Sequence, residues 1–171
     1  MNLKSENLVE IRRDFHRFPE LGFKEKRTKD KIIGYLKELG LDVHSGAGIV
    51  GVLRSGEGNK VIGLRADMDA LPIRETNTHD YVSNNTGVMH ACGHDGHMTM
   101  LLGAAHKLSK NANFSGTIVF IFQPNEELGL GAKAMMDEGL LENFPMQEIY
   151  GMHNLPGVPT GELLTRSGII C

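Results

Sequence analysis

Cysteine occurs only at Cys92 and Cys171, tryptophan not at all, and proline only six times in 171 residues. Two cysteines cannot build the disulfide framework of a small secreted domain, and the opening stretch MNLKSENLVEIRRD puts charges where a signal peptide needs its apolar segment. Disulfides and export are therefore not expected, and a cytoplasmic location is. No unbroken apolar run approaches the ~20 residues that span a bilayer, which argues against a membrane partner. Runs of Lys or Arg are missing as well. The formal net charge is −3, with the basic residues scattered through amphipathic stretches, so the electrostatic footprint of a nucleic-acid binder is absent. A small molecule is the expected partner. What the chain does have, 40% hydrophobic and 23% charged residues, is the balance of one globular domain with enough length to bury a core.

Leu8, Ile11 and Phe15 follow helical spacing behind Ser5, a candidate N-cap, and a second helix is expected from about Lys24 to Leu39, stopped by Gly40. Leu41 to His44, Ile49 to Arg54 and Lys60 to Ala66 read as strands. The turn Ser55-Gly56-Glu57-Gly58-Asn59 makes the last two an expected hairpin. Then follow a helix from about His97 to Leu108, a strand Thr117 to Phe122, a helix from about Gly131 to Leu140 and a strand Glu148 to Met152. This alternation predicts an α/β fold, helices packed on a largely parallel or mixed sheet. Two motif matches carry nothing. Gly46-Ala47-Gly48-Ile49-Val50-Gly51 fits the dinucleotide-binding pattern by letter but precedes a strand instead of following one. Asn84-Asn85-Thr86 and Asn113-Phe114-Ser115 fit the glycosylation pattern in a chain expected to stay in the cytoplasm.

In an open parallel sheet, ligands bind along the edge formed by the carboxyl ends of the strands. Acidic, His and Cys residues collect at just those ends: Asp67 and Asp69, Glu126 and Glu127, and His153, with Cys92, His94, Asp95 and His97 leading into a helix. The loop from Met89 to His97 offers a thiol and three imidazoles, and its glycines allow several side chains to face one point. A metal is the economical explanation. Sulfur, nitrogen and oxygen donors together suit a borderline divalent ion such as zinc, with manganese, cobalt or nickel as alternatives. For His90 and His97 two readings stand, ligand or partner that orients a ligand. His16, His44, His79 and His106 are isolated from other ligand types in the sequence and read as structural. Glu126 and Glu127 end a buried strand; if the segment is extended they point to opposite faces and divide the work, one on the metal and one taking a proton from water. A solvated acidic loop is the plainer alternative. Asp67 and Asp69 are as readily turn formers as ligands.

The blocks DFHRFPELGF, LRADMDALPI, GVMHACGHDGH, FIFQPNEE and YGMHNLPGVPTG, in that order, resemble the M20 amidohydrolases that include hippurate hydrolases, indole-acetyl-amino-acid hydrolases and N-acetyl-diaminopimelate deacetylases. The resemblance covers essentially the whole chain. It implies an M20 peptidase-like catalytic domain with two divalent metal ions, in which Cys92, His94, Glu127 and His153 are ligands and Glu126 is the general base. Where relatives in the wider family place a His, this chain has Asp67, so its part as a ligand is open, and Asp69 is expected to support rather than coordinate. Members run to more than twice this length. Residues 1–171 are therefore expected to be the N-terminal part of the catalytic domain, without the lid and dimerisation domain and without a C-terminal segment that supplies another His.

The leading expectation is thus metal-dependent hydrolysis of the amide bond of N-acyl amino acids, weak or absent in this length of chain alone. A catalytically dead metal-binding fragment is the alternative. Cys92 as a thiol nucleophile ranks last, because it leaves the Glu pair and His153 without a role. An incomplete sheet would also expose an edge strand open to self-association.

Overall fold

Eight consecutive residues from Gly116 to Gln123 are all buried in the computed structural model, which describes residues 7–165, 167 and 168. A strand covered on both faces belongs in the middle of a sheet, and this one organises the rest. In chain order the elements are α1 Leu8–Arg17, α2 Lys26–Glu38, β1 Asp42–Ser45, β2 Ile49–Ser55, β3 Val61–Asp67, α3 His94–Lys110, β4 Gly116–Gln123, α4 Gly131–Asp137, α5 Leu140–Asn143 and β5 Glu148–Gly151. The candidate cap Ser5 lies outside the described residues. Among those described, no helix is long and apolar enough to cross a membrane.

The five strands run in the order β1-β2-β4-β3-β5. β3 is parallel to β4 and β5, whereas β2 is antiparallel to β1 and β4, so the sheet is mixed with a parallel half. The expected hairpin between Ile49–Arg54 and Lys60–Ala66 does not form. β4 inserts between those strands, because the central place lets it bury Ile118, Phe120 and Phe122 on one face and Val119 and Ile121 on the other. The loop Ser55 to Asn59 instead steps over the start of β4, tied there by Gly58 N–H to Ser115 Oγ (2.8 Å) and Thr117 N–H to the Lys60 carbonyl (2.8 Å). β2 makes its hairpin with β1. The single helix expected over Gly131 to Leu140 is broken by Gly139, whose φ of 85° separates α4 from α5.

The main core lies on one face, where Phe15 of α1, Ile32 and Leu36 of α2, and Met98 and Leu102 of α3 pack with Phe120 and Phe122. On the other face Met135 of α4 packs with Val50, Val119 and Ile121. The register aligns Asp67 with Gln123 and Arg65 with Gly151. The chain therefore leaves β3, β4 and β5 along one edge.

Candidate metal centre

Each of those three exits delivers part of a cluster, and the first turn of α3 faces it. Gly93 starts that helix with φ 88°, a conformation glycine reaches without strain, and any side chain there would run into the Asn154 amide. His94 and His97, three residues apart, share one face, their ring centres 5.4 Å apart. Asp95 is turned roughly 100° around the helix and faces α1.

His94 is fully buried, and its Nδ1–H donates to the Asp69 carbonyl at 2.8 Å, with the Asp69 carboxylate 3.5 Å away. That leaves Nε2 as the outward atom, 3.8 Å from Glu126 Oε2 and 4.0 Å from Glu127 Oε1. His153, exposed, donates from Nδ1 to the Asn154 carbonyl and directs Nε2 at Cys92 Sγ, 3.3 Å away. Donor atoms of Cys92, His94 and His153 lie within 4.8 Å of one another, as do those of His94, Glu126 and Glu127, and of Asp67, His94 and His97. His94 is common to all three groups. The structure thus brings together Cys92, His94, Glu127 and His153, with Glu126 beside them.

Glu126 and Glu127 are not on an extended segment as expected. Asn125, at φ 44°, turns the chain after β4, and Gly129 N–H closes the turn on the Glu126 carbonyl at 2.7 Å, so both carboxylates approach His94. Asn is among the side chains that best tolerate this left-handed backbone. The two Glu differ in exposure instead, Glu126 at 40% and Glu127 at 19%.

The supporting residues explain why the cluster holds its shape. Asp69 Oδ2 accepts the Glu127 N–H at 3.1 Å while its carbonyl orients His94, so one buried residue ties two parts of the site. Burial opposes ionisation of Asp69, but bonds from His94 and from the backbone of Glu126 and Glu127 outweigh it and hold the pKa below the ordinary carboxylate value. Asp67 is clamped by both terminal nitrogens of Arg65, whose Nε donates to Gln123 at 2.7 Å. Burial raises its pKa against that guanidinium. His97 Nε2 lies 2.6 Å from Asn154 Oδ1, and burial pulls its pKa down to about 4 against that bond. His90 is buried and likewise pulled down to about 4. Two further residues anchor the cluster. Asn154 was visible as the residue after His153, but buried Glu25, which accepts the Asn125 N–H at 3.0 Å, sits 100 residues away in an ordinary polar stretch.

The donor set fits a divalent metal. His94 Nε2 and Glu127 Oε1 are buried without a hydrogen-bond partner among the described residues, a costly arrangement unless a cation uses them. Burial, with the charges of Glu127, Glu126 and Asp67, pushes the Cys92 thiol up to about 11. Such surroundings disfavour a free thiolate nucleophile and favour one formed only against a cation.

Three of the four histidines that look isolated in the sequence have a carboxylate beside them. His16 and His79 both meet Glu75, because the segment between β3 and α3 folds back onto α1. His44 pairs with Asp42.

The profile of peptidase family M20/M25/M40 matches residues 63–168. Hippurate hydrolase of Campylobacter jejuni is 49% identical over 149 residues, covering 85% of this chain and 39% of that protein. Arabidopsis thaliana IAA-amino acid hydrolase ILR1-like 2 is 44% identical over 165 residues, covering 94% of this chain and 37% of the relative. The Bacillus subtilis YXEP protein, described as a dinuclear metal binding peptidase from M20 family, superimposes with a TM-score of 0.85 at 39% identity, covering 90% of this chain and 44% of that one. The chain spans less than half the length of these relatives.

Proposed function

Because the chain belongs to peptidase family M20/M25/M40, we propose that it carries the metal ligands and general base for hydrolysis of the amide bond of N-acyl amino acids. The observation behind this reading is the meeting of Cys92, His94, Glu127 and His153 at one strand edge, around partnerless His94 Nε2 and Glu127 Oε1. The relatives named for hippurate and for IAA-amino acids point to an amide on an amino acid's nitrogen.

Cys92, His94, Glu127 and His153 would hold two divalent ions, zinc, manganese, cobalt or nickel. When bound, such ions supply Lewis acidity toward the amide carbonyl and a lowered pKa for the attacking water. The chain's own residues do the rest. Glu126, the more open carboxylate, takes the proton from that water and returns it to the departing amine nitrogen, a role that contributes about 10²–10⁴-fold to rate. Asp69 fixes the His94 tautomer so that its Nε2 lone pair faces outward. His97, kept neutral by burial, holds Asn154 and with it the backbone beside His153.

The test is a pair of variants in a chain of the relatives' length carrying these residues. Glu126→Gln should abolish release of glycine from N-benzoylglycine while keeping the metal content, since the amide preserves shape but cannot accept a proton. Glu127→Gln should lose metal. Equal metal loss in both would remove the division of roles.

A further inference from the structure

A second group of donors lies away from the strand edge, on the outer side of the first turn of α3. The segment following β3 is pinned to α1 by Asn84 N–H to the Arg17 carbonyl (2.8 Å) and by Asn85 Nδ2 to the Pro19 carbonyl (2.7 Å). This places Glu75 Oε1 3.1 Å from His16 Nε2 and 3.2 Å from His79 Nε2. The three donor atoms all fall within 4.8 Å of one another. We infer that His16, Glu75 and His79 form a separate site for a divalent transition-metal cation such as zinc, sharing no ligand with the Cys92 centre.

Geometry is the first support. Donors bound tetrahedrally at about 2.0–2.1 Å sit about 3.4 Å from each other; here Glu75 Oε1 is 3.1 and 3.2 Å from the two imidazole nitrogens, and all three donors fall within 4.8 Å.

Preorganisation is the second. His16 Nδ1 bonds to Asp95 Oδ2 at 2.9 Å, which fixes the ring with Nε2 toward Glu75, the carboxylate–histidine arrangement that orients metal-ligating imidazoles. Glu75 Oε2 accepts the Ser83 N–H at 2.6 Å, and Asn77 Nδ2 donates to Oε1 at 3.0 Å. His79 lies flat on Tyr81, centroids 3.8 Å apart and planes 18° apart. All three ligand side chains are thus held before any ion arrives.

Access and charge complete the case. The side chains of His16 and Glu75 are 7% and 4% exposed, but that of His79 is 29% exposed, so an ion enters past His79 and keeps a position open to solvent. Two imidazoles and one carboxylate suit zinc better than magnesium or calcium, which prefer all-oxygen surroundings. The nearby cations are engaged elsewhere. Arg12 Nε is on Asp95 at 3.2 Å, and the Arg13 guanidinium lies over the Tyr81 ring at 5.0 Å. Burial and the two carboxylates act oppositely on His16, and its pKa is raised by the bond to Asp95 despite desolvation. A proton therefore competes with the ion in acid. An ion here would fasten the segment after β3 to α1 and, through Asp95, to the helix that begins with His94.

The experiment uses the chain stripped with a chelator and titrated with zinc against a chromophoric competitor, then with cobalt for its absorption spectrum. His79→Leu, which keeps an apolar side chain on Tyr81, should lose a zinc equivalent while keeping the near-ultraviolet thiolate-to-cobalt band that depends on Cys92. Cys92→Ser should do the reverse, losing the band and keeping the zinc that depends on His79. His79→Gln serves as a second variant, and circular dichroism verifies the fold of each. Unchanged zinc stoichiometry and affinity in the folded His79 variants would overturn the proposal, as would an equivalent that disappears only with the thiolate band.

Discussion

Replacing Asp69 with Asn should damage the site more than its conservative size suggests. The carboxylate accepts the Glu127 N–H through Oδ2 and sets Oδ1 3.5 Å from His94 Nδ1, itself 1% exposed in the core of the site. An asparagine can keep only one of these relationships. If its oxygen accepts from Glu127, its NH₂ faces the His94 Nδ1–H, donor against donor, and pushes the ring off the Asp69 carbonyl that holds Nε2 outward. Loss of such an orienting partner costs about 10–100-fold in metal affinity, which is about 1.4–2.8 kcal/mol. Folding stability should fall by about 1 kcal/mol, the difference between a hydrogen bond to a charged acceptor and one to a neutral acceptor.

The pH dependence gives an independent check. The folded pKa of Asp69 lies below its ordinary 3.8, so the wild-type residue contributes stability above that value and loses it as pH falls through the lower folded pKa. The part of the gap between wild type and Asp69→Asn that comes from the Asp69 charge should close in urea unfolding as pH falls below about 4. Zinc affinity of Asp69→Asn within about twofold of wild type in chelator competition would refute the orienting role, since an orienting partner is worth at least tenfold.

Phe120→Ala, which empties a fully buried position in β4, should cost about 3–5 kcal/mol in urea unfolding. Gly93→Ala forces a side chain into left-handed backbone and against Asn154, so it should lose about 1–2 kcal/mol from the backbone alone and weaken zinc binding as well, measured in the same titrations. Zinc should displace a proton from Cys92, whose thiol is pushed up to about 11, so calorimetry near neutral pH in buffers of different ionisation enthalpy should detect proton release that shrinks in Cys92→Ser. Exposed β5, with Ile149 at 46% and Tyr150 at 54%, should support self-association of the isolated chain, and Ile149→Lys should reduce it in size-exclusion chromatography.

The strand-edge residues were legible because each signal was local. Glu126 and Glu127 follow a buried apolar run, His153 follows β5, and Cys92 and His94 flank the glycine that opens α3. An α/β alternation then brings those exits together whatever the detailed strand order. Strand pairing was another matter. Sequence proximity favoured a β2–β3 hairpin, but the burial available to β4 in the central place decided the order, and that gain is a property of the whole sheet. The turn at Asn125 was hidden for a similar reason: its left-handed backbone is held by Glu25, 100 residues earlier.

The consecutive residues His94 and Asp95 show how two donor groups can meet in one short block. Both are buried, and both stand in the run of acidic, His and Cys residues that leads into a helix. A helix sends neighbours about 100° apart, so the imidazole faces the strand edge while the carboxylate holds His16 on α1. The first turn of α3 therefore serves Cys92, Glu127 and His153 on one side and Glu75 and His79 on the other. A disturbance that rotates this turn must strain both groups together. Disturbances confined to His79 or to Cys92 should remain separable, because the two donor sets contact the helix through different residues.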